Sequence, residues 1–84
     1  MYEVLLSNAA ERDMKRLPAK MFKRIVGELR ALTQEPRPVG SRKLSGSGND
    51  HRLRVGDYRV IYEIDDGSHE VRVMRVRHRR EAYR

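Results

Sequence analysis

The stretch His51-Arg52-Leu53-Arg54-Val55-Gly56-Asp57-Tyr58-Arg59-Val60-Ile61-Tyr62-Glu63-Ile64 decides the fold. Basic and apolar residues alternate from His51 to Val55, the period of a strand with one buried face. Gly56-Asp57 then supplies a two-residue hairpin turn with glycine at its first central position. Tyr58 to Ile64 returns as a second strand, and Asp65-Asp66-Gly67-Ser68 turns the chain again. Glu70 to His78 reads as a third strand. Leu53, Val55, Tyr58, Val60, Tyr62 and Ile64 then share one face, while Arg52, Arg54 and Arg59 occupy the other. The alternation slips between Val73 and Met74, which suggests a bulge or a locally two-sided burial. With Met74 and Val76 turned inward, Arg75, Arg77 and Arg79 join the arginines on the open face. A slip of one residue would exchange the two faces.

Upstream the period is helical. Tyr2 to Leu6 is a short strand candidate, and Ser7 or Asn8 can cap the helix after it, with Glu11 placed for a capping box on Asn8. Ala10, Met14 and Leu17 fall on one face. Pro18 separates this helix from a second and suits its first turn. There Met21, Phe22, Ile25, Val26, Leu29 and Leu32 keep helical spacing, and Lys20, Lys23, Arg24, Glu28 and Arg30 cover the other side. Pro36 stops the second helix. The Pro-, Gly- and Ser-rich segment from there to Asp50 reads as a loop. Within it Arg42-Lys43-Leu44 either brings basic groups to a ligand or is an ordinary exposed connection. The expected fold is a single α+β domain over residues 1–84: a strand, a two-helix hairpin, then a three-stranded antiparallel meander whose apolar face receives the helices.

The net charge is +7 and the isoelectric point about 10.4. Such a balance favours an anionic partner, nucleic acid before an acidic protein and an acidic protein before an anionic membrane. There is no cysteine, so disulfides and thiolate metal sites are excluded. His51, His69 and His78 lack the spacing of a metal pair on a helix, and neither metal nor cofactor is expected. No apolar run approaches the ~18 residues of a membrane span, and Met1-Tyr2-Glu3 does not open an export signal. A soluble protein of the cytoplasm, with no membrane partner, is the expectation.

Chemistry concentrates in Arg72-Val73-Met74-Arg75-Val76-Arg77-His78-Arg79-Arg80-Glu81-Ala82-Tyr83-Arg84. Arginine carries fixed charge and a planar fork that matches phosphate. Histidine and tyrosine can move protons, and tyrosine can stack on a base. A solvated basic run is the plain alternative. The interleaved Val71, Val73, Met74 and Val76 favour a structured strand instead.

The run Arg52 to Tyr62, followed by Val76-Arg77-His78-Arg79-Arg80-Glu81-Ala82-Tyr83-Arg84, resembles the RelE/ParE superfamily of toxins from toxin–antitoxin systems, most of all its RelE branch. The Gly56-Asp57-Tyr58-Arg59-Val60-Ile61-Tyr62 core is the specific part, and Val4 to Leu17 resembles the family's first strand and helix. The resemblance implies the RelE-like microbial ribonuclease fold and an mRNA endoribonuclease. It implies as partners the ribosome with its 16S rRNA, mRNA in the ribosomal A site, and a cognate antitoxin that wraps the toxin. The implied reaction is attack of a ribose 2′-hydroxyl on the adjacent phosphate, which leaves a 2′,3′-cyclic phosphate and a 5′-hydroxyl without a metal. Carried over by position, Arg52 and Arg54 bind and place phosphate, Arg59 and Arg79 stabilise the pentavalent phosphate, and Tyr83 stacks or moves a proton. Lys43, Arg75 and Arg77 are further candidates for RNA binding.

One departure bears on mechanism. The family's best-understood members carry lysines where this chain has Arg52 and Arg54. An arginine side chain is neutral in only about one molecule per million at neutral pH, so Arg54 is a poor general base. The base and acid are then open among His78, Tyr83 and the RNA. Three other readings share the pattern: a ParE-like inhibitor of DNA gyrase, a basic RNA-binding module without catalysis, and a folded but inactive toxin.

Overall fold

A computed structural model of the chain describes residues 1–44 and 49–82. The alternating stretch becomes the centre of a five-stranded sheet. In chain order the elements are β1 (Glu3–Leu6), α1 (Asn8–Lys15), α2 (Ala19–Leu32), β2 (Ser41–Lys43), β3 (Asp50–Val55), β4 (Tyr58–Asp65), β5 (Glu70–His78) and a single turn of helix, α3 (Arg79–Ala82). The strands lie in the order β1-β5-β4-β3-β2. The expected meander β3-β4-β5 is therefore present, but it is not the whole sheet. β1 joins it parallel to β5, and β2 joins it antiparallel to β3.

β2 falls in the segment expected to be a loop. Ser41-Arg42-Lys43 has no apolar alternation to announce a strand; its backbone pairing with His51 to Leu53 makes it one. α1 is capped by Ser7, whose side chain accepts from the Ala10 N–H at 3.0 Å. Asn8 is the first residue of the helix rather than its cap, so the expected capping box on Asn8 does not form. Pro18 stands at the N-cap of α2, just outside the helix.

The helices cover one face of the sheet. Ala10, Met14, Ile25, Leu29 and Leu32 meet Leu53, Val55, Val60, Tyr62, Ile64, Val71, Val73 and Val76 in one buried cluster. Burying each large apolar side chain contributes about 1.5–3 kcal/mol before entropy is counted. Tyr62 is buried among them, and its hydroxyl donates to the Pro36 carbonyl at 2.9 Å. The inward set expected from the alternation is confirmed in β3 and β4. In β5 Met74 is corrected: it is 40 % exposed. The bulge sits there, because Tyr62 pairs with Val73 while Ile61 pairs with Arg75, so Met74 is passed over. Among the described residues no helix is long and apolar enough to cross a membrane.

Acidic side chains fix the stability of this frame against pH. Asp66 accepts from Arg37 at 2.8 and 3.3 Å and from the Tyr2 hydroxyl at 2.5 Å. These bonds hold its carboxyl down to about 2. Asp65 is lowered by the Ser68 N–H. Burial raises Asp13, but donation from Arg75 and from the Val76 N–H outweighs it, and the carboxyl is lowered overall. A carboxyl depressed in the folded state adds stability that is complete above its unfolded value near 3.8 and disappears as pH falls through the folded value. The melting temperature should therefore be flat from pH 7 to about 5 and fall between about 4 and 2. Arg37→Ala should reduce that fall, since it removes the main cause of the Asp66 depression. A melting temperature indifferent to pH across the range would contradict these assignments.

Candidate functional site

The register lines up arginines across the open face. Arg54 pairs with Arg59, and Arg59 pairs with Arg77. Residues directly opposite in an antiparallel pair share a face, so these three guanidinium groups form one row across β3, β4 and β5. A second row runs Arg42, Arg52, Ile61 and Arg75. Like charges placed this way repel one another, and a bound polyanion relieves them.

Arg42, Arg52, Arg54 and Arg59, with Gly40, line a pocket of about 520 Å³. Among the described residues no acidic side chain lines it. The opposite end of the same face is different: Arg72 is held by Glu63, Asp65 and Glu70 at 3.4, 3.5 and 2.9 Å. The face is thus basic at the end of the β3–β4 hairpin and locally neutralised at the other.

Arg59 differs from its expected state. It faces the open side, but it is buried, only 6 % exposed. Its Nη1 donates to the Tyr58 carbonyl at 3.1 Å and lies 3.5 Å from the Gly56 carbonyl. The guanidinium is anchored on the turn backbone at the floor of the pocket. Gly56 suits this turn. Its φ of +60° is the left-handed region open to glycine, and a side chain there would meet the Arg24 guanidinium and Met21 at 3.2 Å. Arg24 reaches the turn from α2, an approach that the linear sequence does not signal.

The structure sorts the other candidates. Arg77 is in the row with Arg54 and Arg59, as expected. Lys43 pairs with His51, so it starts from the helix side, and its neighbour Arg42 is the one that lines the pocket. Arg75 starts from the open face but turns over the edge of β5 to Asp13, with Nε at 2.8 Å and Nη2 at 3.1 Å. His78 pairs with Tyr58, a residue of the helix side. Its ring packs edge-on against Tyr58 at 5.3 Å, its Nδ1 accepts from the Arg80 N–H at 3.3 Å, and it lines a separate cavity of about 160 Å³ with Asp13, Arg16, Tyr58 and Arg75. It does not line the arginine pocket. Arg79 does not continue β5; it opens α3, is exposed, and its N–H donates to the Asp57 carbonyl at 2.7 Å. That bond ties the start of α3 to the hairpin turn beside the pocket. Tyr83 lies outside the described residues. Among the described residues no three His, Cys, Asp or Glu side chains gather as a metal site.

A further concavity lies on the helix side. Val4, Leu6, Met14, Phe22, Val26 and Leu29 line an apolar groove of about 610 Å³, with Glu11, Lys15 and Arg30 at its sides. Phe22 is 43 % exposed in it, a large aromatic ring without full cover.

Comparison with known proteins gives this geometry a family. Residues 4–83 match the family described as the ParE toxin of type II toxin–antitoxin systems, parDE. The chain is 36 % identical over 84 residues to Toxin RelE of Mycobacterium tuberculosis, covering 99 % of this chain and 87 % of that protein. It is 36 % identical over 87 residues to Toxin RelG of the same organism, covering 99 % and 97 %. Among solved structures, the RelE–RelB complex from the archaeon Pyrococcus horikoshii contains a chain with a TM-score of 0.85 and 27 % identity, covering 95 % of this chain and 97 % of that one. A RelBE toxin–antitoxin complex from M. tuberculosis contains one with a TM-score of 0.82 and 30 % identity, covering 92 % and 96 %. With its basic sheet face and with relatives matched along nearly its whole length, the chain belongs to the RelE/ParE superfamily of type II toxin–antitoxin toxins.

Proposed function

We propose that this toxin is a ribosome-dependent endoribonuclease that cuts mRNA in the A site and so stops translation in the cytoplasm. The observation that carries the reading is the pocket of Arg42, Arg52, Arg54 and Arg59, with no acidic side chain among its described lining residues and Arg77 beside it in the cross-strand row. A phosphodiester needs positive charge fixed where the pentavalent phosphate forms. Here that charge comes from guanidinium groups, and no step calls for a metal ion. Arg42, Arg52 and Arg54 hold the flanking phosphates, and Arg59 with Arg79 stabilises the phosphate under attack. The ribose 2′-oxygen forms a bond to phosphorus as its proton leaves. The 5′-oxygen departs and takes up a proton, giving a 2′,3′-cyclic phosphate and a 5′-hydroxyl. His78 opens on the other side of the sheet, so we assign the proton transfers to Tyr83 and to groups of the RNA and ribosome.

The experiment is induced expression followed by mapping of mRNA 5′ ends, with translation running and with it blocked. New 5′-hydroxyl ends within coding regions, only while translation runs, are the expected result. The family model that matches is described for the ParE toxin, which makes DNA gyrase the second target to test. A DNA-damage response with intact mRNA would establish that reading and overturn ours. Binding to RNA without new ends would leave a basic RNA-binding module.

Relatives of this fold are seen in complexes of RelE with RelB. We propose a cognate antitoxin that is acidic, that lays an apolar helix in the Phe22 groove and that reaches the arginine face. With a charge of +7 on the toxin, the encounter should be steered electrostatically and slow as salt rises.

A further inference from the structure

We infer that Asp13, a carboxylate of α1 outside the arginine pocket, is a positioning residue for the arm of β5 that carries Arg77 and leads into Arg79. The inference rests on the ribonuclease reading above. β1 pairs with Glu70 to Val73 of β5 and goes no further. Past Val73, β5 has β4 on one side and, among the described residues, no strand on the other. Bonds from Ser7 and Asp13 take over there. The Ser7 N–H donates to the Val73 carbonyl at 2.9 Å, and the Ser7 hydroxyl donates to the carbonyl of the bulged Met74 at 2.8 Å. Beyond the bulge, Asp13 Oδ2 accepts from the Val76 N–H at 2.9 Å and from Arg75 Nε at 2.8 Å, while Oδ1 accepts from Arg75 Nη2 at 3.1 Å. One buried side chain thus does for the end of β5 what a neighbouring strand would do. It satisfies a buried amide and balances the arginine at the edge.

The arm is pinned at two places. Val76 is held by Asp13, and the Arg79 N–H is held by the Asp57 carbonyl at 2.7 Å. Arg77 stands between them, opposite Arg59. Without Asp13 the first pin is lost, and Arg75 loses its two bonds to that carboxylate close to Arg77. A misplacement of about 1 Å near a reacting group can cost on the order of a hundredfold in rate. Arg42, Arg52 and Arg54 belong to β2 and β3, on the other side of β4, so the grip on the flanking phosphates does not pass through the arm. Loss of Asp13 should therefore slow turnover and leave RNA affinity nearly unchanged.

The test compares wild type, Asp13→Ala and Asp13→Asn on ribosomes programmed with mRNA, at a temperature where thermal melts show all three folded. Asparagine keeps an oxygen to accept from the Val76 N–H and loses the charge. We expect kcat to fall about tenfold or more in the alanine variant with KM within about twofold, and asparagine to recover most of the loss. Amide hydrogen exchange supplies a second reading that needs no activity: Val76 to Arg79 should exchange faster in Asp13→Ala, while β3 and α2 amides stay as in wild type. Wild-type kcat in the alanine variant, or equal losses in both variants with a raised KM, would overturn the inference. If the wild-type protein itself cuts no mRNA, the ribonuclease reading fails, and exchange alone decides for Asp13. Selective loss of protection in the arm then supports it, and unchanged or uniformly faster exchange overturns it.

Discussion

Replacing Arg59 with alanine is expected to slow mRNA cleavage about a hundredfold or more and to abolish toxicity at wild-type expression. Arg59 is the buried member of the arginine row, with its guanidinium fixed on the Tyr58 and Gly56 carbonyls. A donor already immobilised by the fold needs no reorganisation when charge develops on the phosphate. Removing one such donor costs roughly 3 kcal/mol of transition-state stabilisation. Its burial adds a structural penalty on the order of 1–3 kcal/mol, because truncation leaves a void and removes the bonds to the Tyr58 and Gly56 carbonyls. Arg59→Lys separates the two effects. Lysine retains charge and most of the volume but cannot make the planar fork, so we expect a smaller structural loss and a rate between those of wild type and alanine. Arg79→Ala should also lose toxicity but melt like wild type, since the Arg79 side chain is exposed and its tie to Asp57 is through the backbone. Cleavage by a folded Arg59→Ala protein at the wild-type rate would remove Arg59 from the chemistry.

Arg59 also shows where the sequence is legible and where it stops. The strand period places its side chain on the open face, and the register confirms that. Its burial is not encoded in any local pattern, since the residues opposite it, Arg54 and Arg77, lie on β3 and β5. Arg42 and Lys43 show the same limit. Both are basic residues in a Pro- and Gly-rich segment, and the choice between them depends on a register set by backbone pairing to β3. A shift of one residue decides which enters the pocket. His78 is legible as the end of β5, yet its face depends on the bulge at Met74, which resets the alternation after Val73. The meander and α2 were readable because their apolar residues repeat with a clear period. Asp13 was not, since its partners Arg75 and Val76 are more than sixty residues away. An aspartate on a short helix gives no sign of such a role.

The arginine face and the Phe22 groove lie on opposite sides of the sheet, and a neutralising protein has reason to engage both. Covering the arginines blocks RNA but offers few apolar contacts. The groove offers Val4, Leu6, Met14, Phe22, Val26 and Leu29 with little polar competition. Lasting affinity should come from the groove, since buried aromatic anchors dominate the energy of protein interfaces. Charge should instead govern the rate of encounter. Phe22→Ala is therefore expected to weaken antitoxin binding by at least about 2 kcal/mol, some thirtyfold in Kd, mainly through faster dissociation. Phe22 is 43 % exposed, so its loss should cost the free toxin much less stability than truncation of Ile25 or Leu32 in the core. Toxicity without antitoxin should stay intact, because the arginine pocket is untouched. Arg54→Gln should show the reverse pattern: slower association, a weaker salt dependence and little change in dissociation. The two variants can be compared by kinetic binding measurements against the purified antitoxin at two salt concentrations. If Phe22→Ala dissociates as slowly as wild type, the groove is not the anchor and the antitoxin is held by the arginine face alone.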